Sequence, residues 1–345
     1  MAIPDHLDWK PLNKKIGSGG QGTVHLVYHK DDPAKTPRAL KILKIDASQE
    51  AYRRFQKEIK AVSKIDHHAI IEVIDHSSKD EELQFLVMKY HWGAETIEEV
   101  CLSSDSSLYY GRALVCLYIF EQLISAIQAC ESQPEPIYHR DISPKNVLVL
   151  PDTSIRLIDF GLCQTVGDST LTLAGEDVGT RNYAPPECSS GNDLRPGTYT
   201  DIYSAAKVLW SAITSQYVFD REEAVLNEKS MRKMFPHKKE TWHLDHIFRN
   251  IIRQDPNDRL TKTSQVFDLI KKVRHAILDD FAPLESVVDQ CPACKRNTAE
   301  AATHGHPILG GRIDPQFPAY ECTACGFAFV RRHETLDNNI KNHYI

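Results

Sequence analysis

Two short stretches place carboxylates and a carboxamide where phosphate chemistry would need them. Tyr138-His139-Arg140-Asp141-Ile142-Ser143-Pro144-Lys145-Asn146 sets Asp141 five residues before Asn146. Asp141 can accept or orient the proton of an attacking hydroxyl, and Asn146 can supply a magnesium ligand from the same loop. Thirteen residues beyond Asn146 stands Asp159-Phe160-Gly161, after the apolar run Ile155 to Ile158. A carboxylate released at a strand end can bridge a metal to β- and γ-phosphate oxygens. Nearer the N-terminus, Gly17-Ser18-Gly19-Gly20-Gln21-Gly22-Thr23-Val24 has the glycines that let a hairpin backbone approach phosphates. About twenty residues on, Arg38-Ala39-Leu40-Lys41 offers a lysine for the α- and β-phosphates, with Glu58 as the carboxylate to orient it. Each of these has a bland reading when taken singly. The glycines fit a flexible hairpin, and Lys41 and Glu58 fit two solvated surface charges.

The elements that must position these groups are legible in outline. Five β-branched or apolar runs, Lys14 to Ile16, Thr23 to Tyr28, Ala39 to Leu43, Ile70 to Asp75 and Gln84 to Tyr90, predict a five-stranded antiparallel sheet. Between the third and fourth, Ala51 to Ile65 places Phe55, Ile59 and Val62 at helical spacing, which predicts one helix packed on that sheet. From about residue 108 the periodicity is helical, with helices expected over Leu108 to Ala129, Thr200 to Thr214 and Thr241 to Arg253. Ser103, Ser104, Ser106 and Ser107 read as a solvated loop. A smaller β-rich unit is therefore followed by a larger α-rich one.

In this order and spacing the motifs resemble those of one family, the eukaryotic-type (Hanks-type) Ser/Thr protein kinases, over about Asp8 to Leu278. The glycine run, H-R-D-x-x-x-x-N and D-F-G would coincide by chance on the order of once in 10^5 such chains. The resemblance implies an α+β, two-lobed protein kinase fold over residues 8–280, with a β-rich N-lobe at about 8–90 and an α-rich C-lobe at about 91–280. It implies a transferase that moves the γ-phosphate of ATP, with Mg2+, to Ser or Thr hydroxyls of protein substrates. Asp141, Lys41, Glu58, Asn146 and Asp159 match the family's catalytic set, with Asn146 and Asp159 on the metal. The nucleotide contacts carried over are Ile16, Gly17, Ser18, Gly19, Gly20, Gln21, Gly22, Val24, Ala39 and Lys41, then Met88 as gatekeeper and Lys89, Tyr90 and His91 as the hinge. Asp141 and Lys41 are both expected to face an accessible cleft.

Gly179-Thr180-Arg181-Asn182-Tyr183-Ala184-Pro185-Pro186-Glu187 resembles the end of an activation segment, with Pro-Pro-Glu for the usual Ala-Pro-Glu. Its Gly-Thr-x-x-Tyr pattern is that of Ser/Thr kinases. Asp201 matches the residue that anchors the catalytic loop, and Arg259 the partner of Glu187. Upstream, Ser169, Thr170 and Thr172 are candidate phosphosites whose phosphate could pair with Arg140, Thr172 being the first choice, while Thr180 is expected to be structural. Two residues depart from the pattern. Ser143 stands where these kinases carry a lysine that contacts the transferring phosphate, removing positive charge from a site where charge stabilisation dominates. Lys89 follows the gatekeeper where an acid is common, with little consequence expected. Ser143 is what favours the competing reading, a pseudokinase or adaptor. A small-molecule kinase is the third reading, against which the activation-segment ending speaks.

The last part of the chain has a different character. Cys291-Pro292-Ala293-Cys294 and Cys322-Thr323-Ala324-Cys325-Gly326 form C-x2-C-x27-C-x2-C, four soft ligands suited to a closed tetrahedral Zn2+ site. Tyr320 to Arg331 alternates as a hairpin would, so residues 285–345 resemble a small zinc ribbon. Two disulfides or iron are the competing uses of these thiols. His304 and His306 read as loop residues because four thiolates saturate zinc. Residues 281–345 hold six Lys or Arg against seven Asp or Glu, which points to a protein partner and away from nucleic acid. The whole chain of 345 residues has 41% hydrophobic and 26% charged residues and a net charge of -6, the composition of a globular protein with no global attraction to polyanions or an anionic membrane. No run is expected to cross a bilayer. Cys101, Cys116, Cys130, Cys163 and Cys188 show no pairing pattern, and with a thiolate metal site this is the usage of a reducing, cytoplasmic protein.

Overall fold

The structure, a computed structural model, describes residues 3–4, 7–18, 22–44, 47–81, 83–102, 109–165, 182–188, 197–219, 228–280, 299–301, 319–322 and 328–330. Strands β1 (Trp9–Ser18), β2 (Gly22–His29), β3 (Arg38–Leu43), β4 (Val73–His76) and β5 (Phe85–Lys89) form one antiparallel sheet in the order β1-β2-β3-β5-β4. Alternation along a strand divides its side chains between two faces. Leu40, Ile42, Phe85 and Val87 point to an outer cluster with Leu7, Trp9 and Val27, whereas Leu43 and Leu86 join the main core. Lys41 shares the parity of Leu43 and so faces inward with it. That face receives α1 (Gln49–Val62), whose Ser48 accepts a hydrogen bond from the Ala51 N–H and whose Phe55, Ile59 and Val62 are buried as expected. Glu58 lies on the same buried side.

The expected strand from Ile70 begins only at Val73. Ile70 instead bridges to Leu157, with the Leu157 N–H donating to Ala69 and the Ile71 N–H to Leu157, so 69–71 ties the sheet-bearing lobe to the helical one. In that lobe β6 (Glu95–Thr96) pairs with the later strand β8 (Val147–Val149), which pairs on its other side with β9 (Ile155–Leu157). β7 (Ile137–Tyr138) pairs with β10 (Gln164–Thr165).

Helix α2 (Ala113–Glu131) packs against α3 (Thr198–Thr214) and the later α7 (Thr263–Asp280). It starts five residues after the expected Leu108, because Gly111 takes a left-handed φ of 65° and turns the chain just before it. At 19 residues, with a hydropathy of 1.6, α2 is long and apolar enough to cross a membrane by length and composition, contrary to expectation. Most of it is buried inside the fold, as a core helix would be.

The helix expected over Thr241 to Arg253 is broken. Between α4 (Met231–Met234), α5 (Lys239–Trp242) and α6 (Asp245–Ile251), tightened i,i+3 bonds from Leu244 to Thr241 and from His246 to His243 carry Leu244 into the core. Asp245 then caps α4 through the Met231 N–H at 2.8 Å. Helix α7 was not among the expected elements, although Val266, Ile270, Val273 and Ile277 repeat at 4, 3 and 4 and are all buried. Beyond it, β11 (Ala299–Ala301), β12 (Ala319–Cys322) and β13 (Ala328–Val330) make a three-stranded antiparallel sheet, the last two being the hairpin expected from the alternation.

Candidate active site

Lys41 Nζ stands 2.7 Å from both carboxylate oxygens of Glu58 and 3.1 Å from Asp159 Oδ1. Glu58 is 2% exposed and Lys41 8%, so the pair belongs to the interior, and the reading as two solvated charges is excluded. Burial would discharge Lys41, but the carboxylates of Glu58 and Asp159 outweigh it and hold the ammonium well above its ordinary value. Asp159 shows the mirror case. Its burial acts to raise the carboxyl, and the Lys41 charge and hydrogen bond bring it below the usual range. Its backbone is left-handed, φ 62°, which turns the side chain of a strand-end residue toward Lys41, with the Gly161 N–H at 3.4 Å.

The loop from His139 to Asn146 is held from behind. Asp201, in the first turn of α3, accepts the His139 N–H at 2.7 Å and the Arg140 N–H at 2.8 Å, where the family resemblance put an anchor. Arg140 takes φ 67°, a conformation these two bonds support. His139 is buried, which drives its imidazole down to about 4, so the ring is neutral. Nε2–H then donates to the Ile158 carbonyl at 3.1 Å, and Nδ1 accepts the Asp141 N–H at 3.3 Å. Phe160 packs edge-on against that ring with centroids 4.6 Å apart. Asn146 Nδ2 donates to both the Asp141 carbonyl and Asp141 Oδ2 at 2.8 Å, and the Ile158 N–H donates to the Asn146 carbonyl at 3.0 Å. The loop bearing Asp141 and the segment bearing Asp159 are thus joined by main chain. Asn146 keeps its Oδ1, and with the Asp159 carboxylate this is a donor set of hard oxygens suited to magnesium.

Ser143 is buried at 2% exposure, and its hydroxyl has no hydrogen-bond partner among the described residues. Lys145, the nearest lysine in the loop, is exposed on the three-residue turn Pro144–Asn146. Ser143 itself supplies no ammonium at the position where the pattern carries a lysine.

Of the other expected nucleotide contacts, Gly17 and Val24 face each other across β1 and β2, while Gly19, Gly20 and Gln21 lie outside the described residues. Gly22 has a reason of its own: a Cβ there would meet the Ile42 carbonyl oxygen at 2.4 Å. Ala39 pairs with Met88 across β3 and β5. The Lys89 N–H donates to the Glu72 carbonyl at 2.9 Å and its ammonium pairs with the Glu72 carboxylate at 2.8 Å, so Glu72 accounts for a lysine where an acid is common. Tyr90 packs edge-on against Trp92, and the His91 carbonyl accepts from Ala94. The expected brace is present: Arg259 grips Glu187 through two bonds of 2.6 and 2.9 Å. Ser169, Thr170, Thr172 and Thr180 lie outside the described residues, as do Cys291, Cys294 and Cys325. A cleft of about 390 Å³ lined by Trp9, His29, Arg38 and Asp75 is elsewhere on the sheet and includes none of these groups.

Sequence reasoning missed two supports. Gln122 of α2 accepts the Ile155 N–H and donates to the Thr153 carbonyl, fixing the turn before β9. Glu72, which holds the hinge lysine, is the other. Neither carries a spacing signal, since each acts on main chain far away in sequence.

The protein kinase domain model matches residues 11–273. The chain belongs to the protein kinase family. Serine/threonine-protein kinase PrkC of Bacillus subtilis is 32% identical over 212 residues, 61% of this chain and 31% of PrkC. Serine/threonine-protein kinase PknB of Mycobacterium leprae is 26% identical over 286 residues, 79% of this chain and 44% of PknB. The chain therefore spans less than half the length of these curated relatives. The crystal structure of the Mycobacterium tuberculosis PknI kinase domain covers 79% of this chain and 100% of that one, with a TM-score of 0.57 and 23% identity, a likeness of fold. Within this kinase domain, the ion pair from β3 to α1 and the aspartate-asparagine loop are the two parts of the candidate site.

Proposed function

We propose that the chain is an ATP-dependent protein kinase that phosphorylates Ser or Thr hydroxyls. The observation that carries this is the engaged set Glu58–Lys41–Asp159, with Asp141 and Asn146 joined to it through the Asn146–Ile158 bond. Lys41, fixed by Glu58, would hold the α- and β-phosphates. Asp141 would take the acceptor proton as the hydroxyl oxygen bonds to the γ-phosphorus, while the bond from that phosphorus to the β-γ bridging oxygen breaks and ADP leaves with the electron pair. Mg2+, when bound, neutralises phosphate charge, and Asn146 and Asp159 are the residues that would hold it. The kinase unit is taken as 8–280. Purified protein with labelled ATP, magnesium and a generic protein substrate tests the reading, Asp141→Asn being the control; no transfer above that control sinks it.

Ser143, standing where the family carries a lysine, favours a second reading, a pseudokinase or adaptor that binds nucleotide or partners without turnover. The same assay separates the two, because nucleotide binding without phosphotransfer is that reading's signature.

The finer reading of residues 285–345 is a module folded on one Zn2+ held by Cys291, Cys294, Cys322 and Cys325, for contact with a protein partner. Its support is the spacing of the four thiols and the small sheet in which Cys322 ends the middle strand. Metal analysis of the purified chain tests it. A reducing, cytoplasmic setting is proposed with it, supported by Cys101, Cys116, Cys130, Cys163 and Cys188 forming no disulfide among the described residues.

A further inference from the structure

Helix α3 carries a fully buried lysine that phosphate handling does not use. Lys207 is 0% exposed, and its ammonium donates to the Asn182 carbonyl at 2.6 Å and the Phe219 carbonyl at 3.3 Å. It also lies 5.3 Å from the ring centroid of Tyr203 and 5.1 Å from that of Phe219. Removing an ammonium from water is expensive, and a methionine would fill the same space without that penalty. The charge is therefore retained for something packing does not require.

Tyr203, Lys207 and Ser211 recur every four residues and share one face of α3. Each meets residues 182–187 or their brace. Lys207 holds the Asn182 carbonyl, Ser211 Oγ is 2.8 Å from the Tyr183 hydroxyl, and the guanidinium of Arg259, which grips Glu187, lies 4.7 Å from the Tyr203 ring centroid. The segment is thus fixed near its start and at its end by the surroundings of one helix. The same helix presents Asp201 to His139 and Arg140. Asp201 and Lys207 are six positions apart, about 9 Å along the axis. One rigid element therefore sets the separation between the loop bearing Asp141 and the main chain at Asn182.

We infer that Lys207 is a positioning residue for the protein acceptor: it holds 182–187 as the support on which the segment bearing the acceptor hydroxyl rests, at a fixed distance from Asp141. The inference rests on the kinase reading above. Displacing that support weakens the seating of the acceptor, which its KM reads. The nucleotide end is untouched, because Lys41, Glu58 and Asp159 are placed by β3, α1 and the chain after β9.

The test uses the full chain and measures initial rates against acceptor concentration, with acceptor-free ATP hydrolysis and nucleotide affinity alongside. In Lys207→Met the acceptor KM rises about tenfold or more, while hydrolysis and nucleotide Kd stay within about twofold of wild type, and Lys207→Arg recovers part of the loss. If Lys207→Met does not fold, Lys207→Gln, which keeps an uncharged amide NH2 donor, is read by the same ratio. An unchanged acceptor KM overturns the assignment. So does a loss shared equally by hydrolysis and nucleotide binding, which would make Lys207 a support of the whole fold. A wild type that transfers no phosphate to any acceptor overturns the kinase reading and this one together, and the wild-type assay alone identifies that case.

Discussion

Lys41 and Asp141 sit in one site but answer differently to substitution. Lys41→Ala strands the buried Glu58 carboxylate, which should destabilise the protein by about 3–5 kcal/mol as well as abolish transfer. Asp141→Asn keeps the shape and an acceptor for the Asn146 amide, so it should lower the rate by on the order of 10^2-fold or more while the melting temperature hardly moves. Thermal melts beside single-turnover rates check both, and equal stability of the two variants would contradict the burial of the ion pair. The expectation of an accessible position fails for Lys41, which is 8% exposed, since spacing locates Lys41 and Glu58 but not the depth at which α1 meets the sheet. Ser143 offers a sharper case. Its buried hydroxyl has no partner among the described residues, so Ser143→Ala should leave stability unchanged or raise it by up to about 1 kcal/mol, with activity retained. Loss of activity in that variant would show that the hydroxyl meets substrate.

At the scale of elements, strand packing and helix anchoring make separate demands. Gly22→Ala forces a Cβ against the Ile42 carbonyl and should cost about 1–3 kcal/mol through separation of β2 from β3. Gly17→Ala brings its Cβ only to 3.6 Å from Val24, so any loss of nucleotide affinity there comes from the ligand side. Denaturant melts and nucleotide titrations of the pair distinguish a structural glycine from a phosphate-facing one, which the motif alone cannot do. Helix α3 supplies the pH-sensitive group. Burial outweighs the bonds from Arg140 and His139 and lifts the Asp201 carboxyl to about 6, against an ordinary 3.8. With the folded value above the unfolded one, its contribution to stability is full below 3.8 and is lost as pH rises through 6. Between pH 7 and pH 5 the wild type should therefore gain about 1 kcal/mol on Asp201→Asn, roughly 2–4 °C in relative Tm. Activity moves oppositely, because a protonated Asp201 can accept only one of the two loop N–H groups. A constant gap between the two proteins at both pH values would mean that Asp201 is ionised throughout. The sheet, α1 and α3 were legible from period and breakers. The division at Leu244 was not, because it follows from burial of one side chain and a cap made to α4.

For the molecule as a whole, the four cysteines after residue 290 pose a question of separability. Every group assigned to phosphate transfer precedes Arg259, the family match ends at residue 273, and α7 closes at Asp280. The short strands β11 to β13 offer little with which to form a core, and a unit of this size needs a metal or another staple to fold. If Zn2+ supplies that staple, metal-binding energy is the module's folding energy. The purified full chain should then carry one zinc per molecule, and a strong chelator should remove it with loss of the module's sheet signal. Transfer to a generic acceptor should persist within about twofold, because no ligand of the proposed metal lies among the residues assigned to transfer. A chain ending after Asp280 should behave like the chelated one on a generic acceptor and lose discrimination only toward its own partner. Spacing alone made this legible, four thiols at C-x2-C-x27-C-x2-C, whereas the partner is not encoded in any motif. Metal analysis decides the first step: no bound zinc, or Cys291 and Cys322 oxidised, removes the metal reading. Kinase activity that vanishes with the metal would instead join the module to the catalytic fold, since a group outside the site can abolish transfer only by holding α7 or the lobes it packs against.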